Sequence, residues 1–180
     1  MFFIIRDIVI ELKEKFRLFL LNNAGAISAK KPRAQGSCLI RINHMILGHS
    51  RQTDYRSIPA ATFTHPEISS VGLTEADAKE LAAKEVFPLG AVRSYFKANS
   101  KALAELESDG LMKLLFNKTS GEVLGAHIYG LHAADLIQEV ANAVARRQSV
   151  RQLSTEVHTH PTLSEVVEVA YKQAAGQLVS

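Results

Sequence analysis

The chain has 180 residues, of which 47% are hydrophobic and 22% are charged. This composition is typical of a globular protein and excludes the collagen-like, disordered and disulfide-scaffold classes. The length is too short for an enzyme that holds two dinucleotides on separate Rossmann units. Because Cys38 is the single cysteine, the chain can form no intramolecular disulfide, which excludes a CxxC or CxxxxC redox centre and a cysteine-rich zinc site.

The net charge of +3 is unevenly distributed. Residues 1–57 carry ten Lys and Arg against four Asp and Glu, whereas residues 58–180 carry eleven against fourteen. The excess positive charge therefore lies outside the part of the chain that has regular hydrophobic patterning. For that reason the pI of about 9.0 does not favour a nucleic-acid-binding protein, and we expect no nucleic-acid partner.

The N-terminal third combines an amphipathic segment with a basic linker. Residues 2–21 are apolar, but charged residues interrupt them too often for a membrane-spanning helix or a secretory signal. Their apolar positions recur at helical spacing, which predicts an amphipathic helix packed on the domain or on a partner. Residues 24–57 are basic, with scattered Gly and Ser, and are typical of a linker or a transit segment.

From Ile58 onward the sequence predicts alternating strands and helices. In chain order these are strands over 58–63 and 68–71, a helix over 75–84, strands over 91–96, 110–116 and 122–129, and helices over 133–147, 150–153 and 162–174. Thr74 is expected to cap the first helix, with Asp77 as the acid of a capping box. The turn signal at 117–121 predicts an antiparallel hairpin. The pattern predicts an α+β domain with a three- or four-stranded, mostly antiparallel sheet and helices packed on it.

The segment with the most chemical content is 156–165, EVHTHPTLSE. His160 precedes Pro161, so its backbone is biased toward extended geometry, and the bond between them can be cis. A helix that begins at Pro161 would place Glu165 about one turn inside, from where its carboxylate can fold back toward the His160 ring. A carboxylate on one imidazole nitrogen fixes the tautomer and raises the basicity of the other, as a general acid–base group requires near neutral pH.

The residues alone leave three interpretations open. His160 and Glu165 could be a structural pair. His158 and His160 could share one face of a strand and bind a metal, although no Cys or Asp cluster completes such a site. Alternatively, His160 and Glu165 form an acid–base dyad. Since the chain supplies no nucleophile or redox group for that dyad, the motif would be half of an active site.

Five segments in the same order carry a resemblance to a known family: 58–75, 96–102, 110–130, 133–137 and 158–165. Together they resemble the C-terminal dimerisation domain of the pyridine nucleotide–disulfide oxidoreductases. Within that family they are most similar to the dihydrolipoamide dehydrogenases of cyanobacterial or plastid type. The resemblance implies a dimerisation domain at 58–180, preceded by an extension at 1–57 that resembles no part of the family.

The resemblance also implies roles for individual residues. His160 would be the acid–base group for thiol–disulfide exchange at dihydrolipoamide, and Glu165 would orient it. The peptide between His160 and Pro161 would lie against the FAD of the opposite subunit. Each active site would combine the cysteine pair and flavin of one subunit with the histidine of the other, so the enzyme would act as a homodimer. His158 would have a supporting or packing role at most.

Three parts of the family are not found before Ile58: the FAD-binding glycine motif, the redox-active cysteine pair and the NAD-binding domain. We therefore expect the chain alone to bind neither FAD nor NAD and to lack turnover, and we expect it to pair with a second copy or with a full-length reductase subunit. A cytoplasmic location is expected, with a plastid or another organelle as the alternative. Two other functions remain open: a non-catalytic module that binds a full-length paralogue, and a domain of glutathione or mercuric reductase type.

Overall fold

The structure is a computed structural model that describes residues 54–179. The predicted amphipathic helix at 2–21, the basic linker up to residue 53 and Cys38 lie outside the described residues. Within residues 54–179, none of the helices has the length and apolar character needed to cross a bilayer.

The sheet has five strands, all antiparallel to their neighbours, in the order β1-β2-β5-β4-β3. The strands are β1 (Ala60–Thr62), β2 (Glu67–Gly72), β3 (Leu89–Tyr95), β4 (Leu111–Asn117) and β5 (Val123–Gly130). The predicted α+β class and antiparallel sheet are confirmed. The predicted count of three or four strands is wrong, because the short β1 joins the same sheet as β2 as an edge strand.

The hairpin of β4 and β5 lies at the centre of the sheet. Leu111 pairs with Tyr129 at its open end. At the closed end, the side-chain oxygen of Asn117 accepts hydrogen bonds from the backbone N–H groups of Thr119 and Ser120. Gly121 has a φ of +78°, a conformation in which glycine carries no steric cost. The turn predicted at 117–121 is therefore confirmed, and Asn117 and Gly121 are two of the residues that form it.

Within residues 54–179, five α-helices accompany the sheet: α1 (Glu75–Glu85), α2 (Ser100–Ala104), α3 (Ala133–Ala145), α4 (Val150–Leu153) and α5 (Glu165–Ala175). The predicted cap of α1 is confirmed. The Thr74 hydroxyl accepts a hydrogen bond from the Asp77 N–H at 3.2 Å and donates one to the Asp77 carboxylate at 2.7 Å. The sequence did not predict α2, which Asn99 caps by accepting a hydrogen bond from the Ala102 N–H.

The hydrophobic core lies between the sheet and the two longest core-facing helices. Helix α3 packs on β2 and β5, while α5 packs on β3 and β4. Both helices supply apolar side chains to the core, among them Ile137 and Val140 of α3 and Val167 and Tyr171 of α5. Since α5 is fixed along its length by this packing, the residue at its first position is held at a defined place on the surface.

Two residues paired across β3 and β4 fit each other closely. Gly90 lies opposite Phe116 in the ladder. Phe116 is fully buried. A Cβ atom on Gly90 would lie only 2.3 Å from Cζ of the Phe116 ring, so the ring occupies the space that a side chain at position 90 would need.

Candidate active site

The structure brings His160 and Glu165 together. The two residues lie on the segment that leads from α4 into α5, and the His160–Pro161 peptide bond is cis. His160 Nδ1 is 2.8 Å from Glu165 Oε1, and the His160 side chain is 71% exposed. The carboxylate is mostly shielded while the ring faces solvent, so the pair has one buried and one accessible side.

The contacts of Glu165 determine which nitrogen of His160 carries a proton. Its second oxygen, Oε2, accepts a hydrogen bond from the Thr162 N–H at 2.9 Å. The hydrogen bond from His160 and then the bond from the Thr162 backbone hold the pKa of Glu165 below its usual range. An ionised carboxylate can only accept hydrogen bonds, so Nδ1 of His160 must be the donor. The neutral ring then keeps its lone pair on Nε2, which bonds to no other group within residues 54–179.

Helix α5 begins at Glu165, not at the predicted 162. The physical reason lies at the Thr162 carbonyl, which would accept the first intrahelical hydrogen bond of a helix that began there. The N–H of Thr162 binds Glu165, and its carbonyl accepts a hydrogen bond from the Asn99 side chain at 2.9 Å. Glu165 is therefore the first helical residue instead of lying one turn inside the helix, and it reaches His160 from that position.

His158 does not share a face with His160. Its Nε2 is 3.1 Å from Glu139 Oε1 in α3, and its side chain is only 8% exposed. The two rings therefore bind different carboxylates on different helices. Within residues 54–179, no group of three or more His, Cys, Asp or Glu side chains could hold a metal ion, so the geometry does not support the metal interpretation.

His158 and Glu139 form a partly buried pair, since the His158 side chain is 8% exposed and that of Glu139 is 34% exposed, and the buried Tyr171 lies within electrostatic reach of Glu139. Burial raises the pKa of Glu139, and the hydrogen bond from His158 opposes that shift without cancelling it. Burial also raises the pKa of the Tyr171 hydroxyl, and the nearby charge of Glu139 adds to the effect. Among the described residues, neither His158 Nδ1 nor the Tyr171 hydroxyl has a hydrogen-bond partner.

The partly buried pair of Glu139 and His158 predicts different results for two substitutions. Glu139→Gln keeps an acceptor for His158 and removes a partly desolvated charge, so the free energy of unfolding at pH 7 should stay equal or rise slightly. Glu139→Ala leaves a buried imidazole nitrogen unpaired and should lower that free energy by about 1–3 kcal/mol. Urea unfolding of both variants and the parent protein measures these differences.

The same variants test a pH dependence. Because the pKa of Glu139 is raised in the folded state, its contribution to stability is present at acid pH and is lost as the pH rises through that pKa. The parent should therefore lose stability relative to Glu139→Gln as the pH rises above about 4, where an unperturbed glutamate titrates, toward neutral pH. A constant difference between the two proteins over this range would contradict the assignment.

Comparison with known proteins identifies the domain. Residues 58–171 match the family model described as the pyridine nucleotide-disulphide oxidoreductase dimerisation domain. The chain belongs to this family. The chain is 57% identical over 141 residues to a dihydrolipoyl dehydrogenase of Synechocystis, an alignment that covers 78% of this chain and 30% of the relative. It is 48% identical over 152 residues to the chloroplastic dihydrolipoyl dehydrogenase 2 of Arabidopsis thaliana, covering 84% of this chain and 26% of that protein.

Solved structures show the same fold. The chain superposes on LpdA of Mycobacterium tuberculosis with a TM-score of 0.64 at 24% identity, over 74% of this chain and 28% of that one. The family resemblance, the reductase dimerisation-domain fold and the similarity to cyanobacterial and plastid dihydrolipoyl dehydrogenases are thus confirmed. The chain spans 30% or less of the length of these two relatives. A dimerisation domain pairs with another protein subunit. The comparisons do not identify the substrate on which the pair acts.

Two residues that contact the site were not singled out by the sequence. Asn99 lies 63 positions before Thr162, and Glu139 lies 19 positions before His158. Neither residue belongs to a local motif that contains its partner. Only the order of the strands and helices in space brings them to the segment that carries His160.

Proposed function

We propose that this domain supplies the His160–Glu165 dyad to the disulfide centre of a partner subunit in a dihydrolipoyl dehydrogenase-type oxidoreductase. The observation that carries the proposal is the 2.8 Å contact between Nδ1 of an exposed His160 ring and the Glu165 carboxylate. This contact leaves Nε2 as the proton acceptor on the solvent side. A structural pair would need no accessible nitrogen, whereas an acid–base group does.

The proposed chemistry is a proton transfer coupled to thiol–disulfide exchange. Nε2 of His160 accepts the proton of one dihydrolipoamide thiol, and the resulting thiolate attacks a sulfur of the partner's disulfide. That attack forms a mixed disulfide and releases the other cysteine sulfur as a thiolate. The imidazolium passes its proton to that cysteine thiolate, and the freed Nε2 then accepts the proton of the second substrate thiol. The second substrate thiolate attacks the substrate sulfur of the mixed disulfide and releases the other cysteine as a thiolate, so lipoamide is oxidised and the cysteine pair is reduced by two electrons. Glu165 stabilises the imidazolium that forms in these steps.

The residues near His160 fit a contact with the partner's flavin. Thr159, His160 and Pro161 are all exposed, so they offer a surface edge to a group held by another subunit. FAD held by the partner would supply an electron acceptor for the reduced cysteine pair, and NAD⁺ would be the final acceptor. We accordingly place both cofactors on the partner subunit and none on this chain alone.

An apolar side chain beside the dyad supports pairing through this surface. Val157 is 95% exposed, although valine is usually buried. A second copy of this chain or a full-length reductase subunit could cover it when the dyad reaches the partner's cysteines. We propose that residues 58–180 form this pairing unit, with residues 1–57 as an extension, in the cytoplasm or an organelle such as a plastid.

A chimeric enzyme tests the proposal. The matching segment of the Synechocystis relative is replaced by residues 58–179 of this chain, and dihydrolipoamide-dependent reduction of NAD⁺ is measured. The chimera should turn over dihydrolipoamide, because the transplanted dyad faces the cysteine pair of the recipient.

Light scattering and the visible flavin spectrum are the controls for assembly. A dimeric, flavin-loaded chimera without turnover would contradict the proposed function and would favour a module that only binds. Glutathione reductase activity in place of lipoamide turnover would instead reassign the disulfide substrate.

A further inference from the structure

We infer that Asn99 is a positioning residue that sets the geometry of the His160–Glu165 dyad from the buried side. The catalytic consequence of this inference rests on the proposed function. The contacts that define it do not, because they are contacts within this domain.

Both ends of the Asn99 amide are engaged. Asn99 is 6% exposed and lies at the N-terminal cap of α2. Its side-chain oxygen accepts a hydrogen bond from the Ala102 N–H at 2.9 Å, and its side-chain nitrogen donates one to the Thr162 carbonyl, also at 2.9 Å. The first bond fixes which way the amide points, so its N–H group is aimed at Thr162.

Thr162 passes this constraint to the dyad. Its carbonyl accepts from Asn99, while its N–H donates to Glu165 Oε2 at 2.9 Å. Its hydroxyl donates to the Thr159 carbonyl at 2.6 Å, which closes the loop that contains His160. Three hydrogen bonds in series therefore lead from the buried Asn99 through Thr162 and Glu165 to the exposed imidazole.

The N-terminus of α5 has a separate anchor. The buried Ser94 hydroxyl donates to the Val166 carbonyl at 2.7 Å. Loss of the Asn99 bond should consequently leave the helix in place and release mainly the non-helical residues that precede it. The expected result is a loosened Glu165–His160 contact without loss of the fold.

Two substitutions at this position separate the two ends of the amide. Asn99→Asp keeps an acceptor for the Ala102 N–H but replaces the donor with an oxygen that repels the Thr162 carbonyl. Asn99→Ala removes both bonds. Ser69→Ala is the matched control, because it deletes another buried side-chain-to-backbone bond, from Ser69 to the Ala133 carbonyl at 2.6 Å, away from Thr162.

Nuclear magnetic resonance of the 180-residue chain provides the direct readout. The nitrogen shifts of the His160 ring report its tautomer, and the carboxyl carbon of Glu165 reports the pH at which that group titrates. In the parent and in Ser69→Ala, we expect His160 to be protonated at Nδ1 when neutral and the Glu165 pKa to stay below its ordinary value. In Asn99→Asp and Asn99→Ala, we expect a mixture of tautomers and a Glu165 pKa that moves upward.

Turnover of the chimeric enzyme provides the second readout. Displacement of a catalytic group can cost up to about 100-fold in rate, so Asn99→Asp should lower kcat by ten- to a hundredfold with little change in KM. A folded Asn99→Asp with an unchanged tautomer and unchanged Glu165 titration would overturn the inference. So would a Ser69→Ala variant that shows the same spectral changes.

The two readouts distinguish failure of the inference from failure of the proposed function. If His160→Gln leaves turnover intact while the spectral changes occur as expected, the proposed function fails and the positioning role stands. If His160→Gln abolishes turnover but Asn99→Asp changes neither spectrum nor kcat, the positioning role fails and the proposed function stands.

Discussion

Replacing His160 by Gln is expected to lower kcat of the chimeric enzyme by about 10²–10⁴-fold, the usual contribution of a positioned general acid–base group. Glutamine retains a polar group near Glu165 but cannot exchange a proton near neutral pH. Because the His160 side chain is 71% exposed, the substitution leaves the core untouched and the free energy of unfolding should hardly change. Stopped-flow measurement of cysteine reduction by dihydrolipoamide isolates the affected step.

Two further variants test whether the loss of rate is specific to His160. Glu165→Gln keeps an acceptor for Nδ1 but removes the charge that stabilises the imidazolium, so its loss of rate should be smaller than that of His160→Gln. His158→Gln changes a histidine whose Nε2 faces Glu139, and it should retain far more activity. If His158→Gln were as inactive as His160→Gln, the assignment of the acid–base group to His160 would be contradicted.

Replacing Phe116 by Ala is expected to lower the free energy of unfolding by about 3–5 kcal/mol. Phe116 is fully buried, and its ring lies over Gly90 of the edge strand β3. Truncation to Ala therefore leaves a cavity that the close-packed core cannot easily fill. Urea or thermal unfolding of the Phe116→Ala variant and of the parent 180-residue chain measures the loss. Phe116→Leu is the milder comparison, since it retains part of the buried volume.

A substitution at Gly90 tests whether the Phe116 ring fills the space over that glycine. Gly90→Ala should be destabilising in the parent, because the new Cβ would lie 2.3 Å from Cζ of the ring. In the Phe116→Ala background the same change should cost much less, so the two effects are not additive. Strict additivity in this double-mutant cycle would show that the ring moves aside without cost.

Local patterns in the sequence were sufficient for most of the secondary structure. The signal at 117–121 lies within the hairpin that it predicts, and the capping box of Thr74 and Asp77 lies within four residues. The contact between His160 and Glu165 spans five positions, so it too was accessible from the order of residue types. Each of these features depends on interactions between neighbours along the chain.

Features that depend on distant contacts could not be predicted in this way. The sequence does not show that β1 belongs to the same sheet as the hairpin, nor that Asn99 donates to the Thr162 carbonyl. The start of α5 was misplaced for the same reason, because an amide 63 positions away occupies a carbonyl that a helix would otherwise use. The site was thus predicted as a pair of side chains, but not as a pair supported from the core.

The bonds that position His160 all lie within a single polypeptide, since Glu165, Thr162 and Asn99 belong to the same domain. On the proposed function, the tautomer and the orientation of the ring are therefore set before assembly, and the companion chain has only to bring its sulfur atoms within range. Mixed assemblies of unlike reductase chains would then differ in how well their surfaces match, while Nε2 would be presented in the same way in every combination.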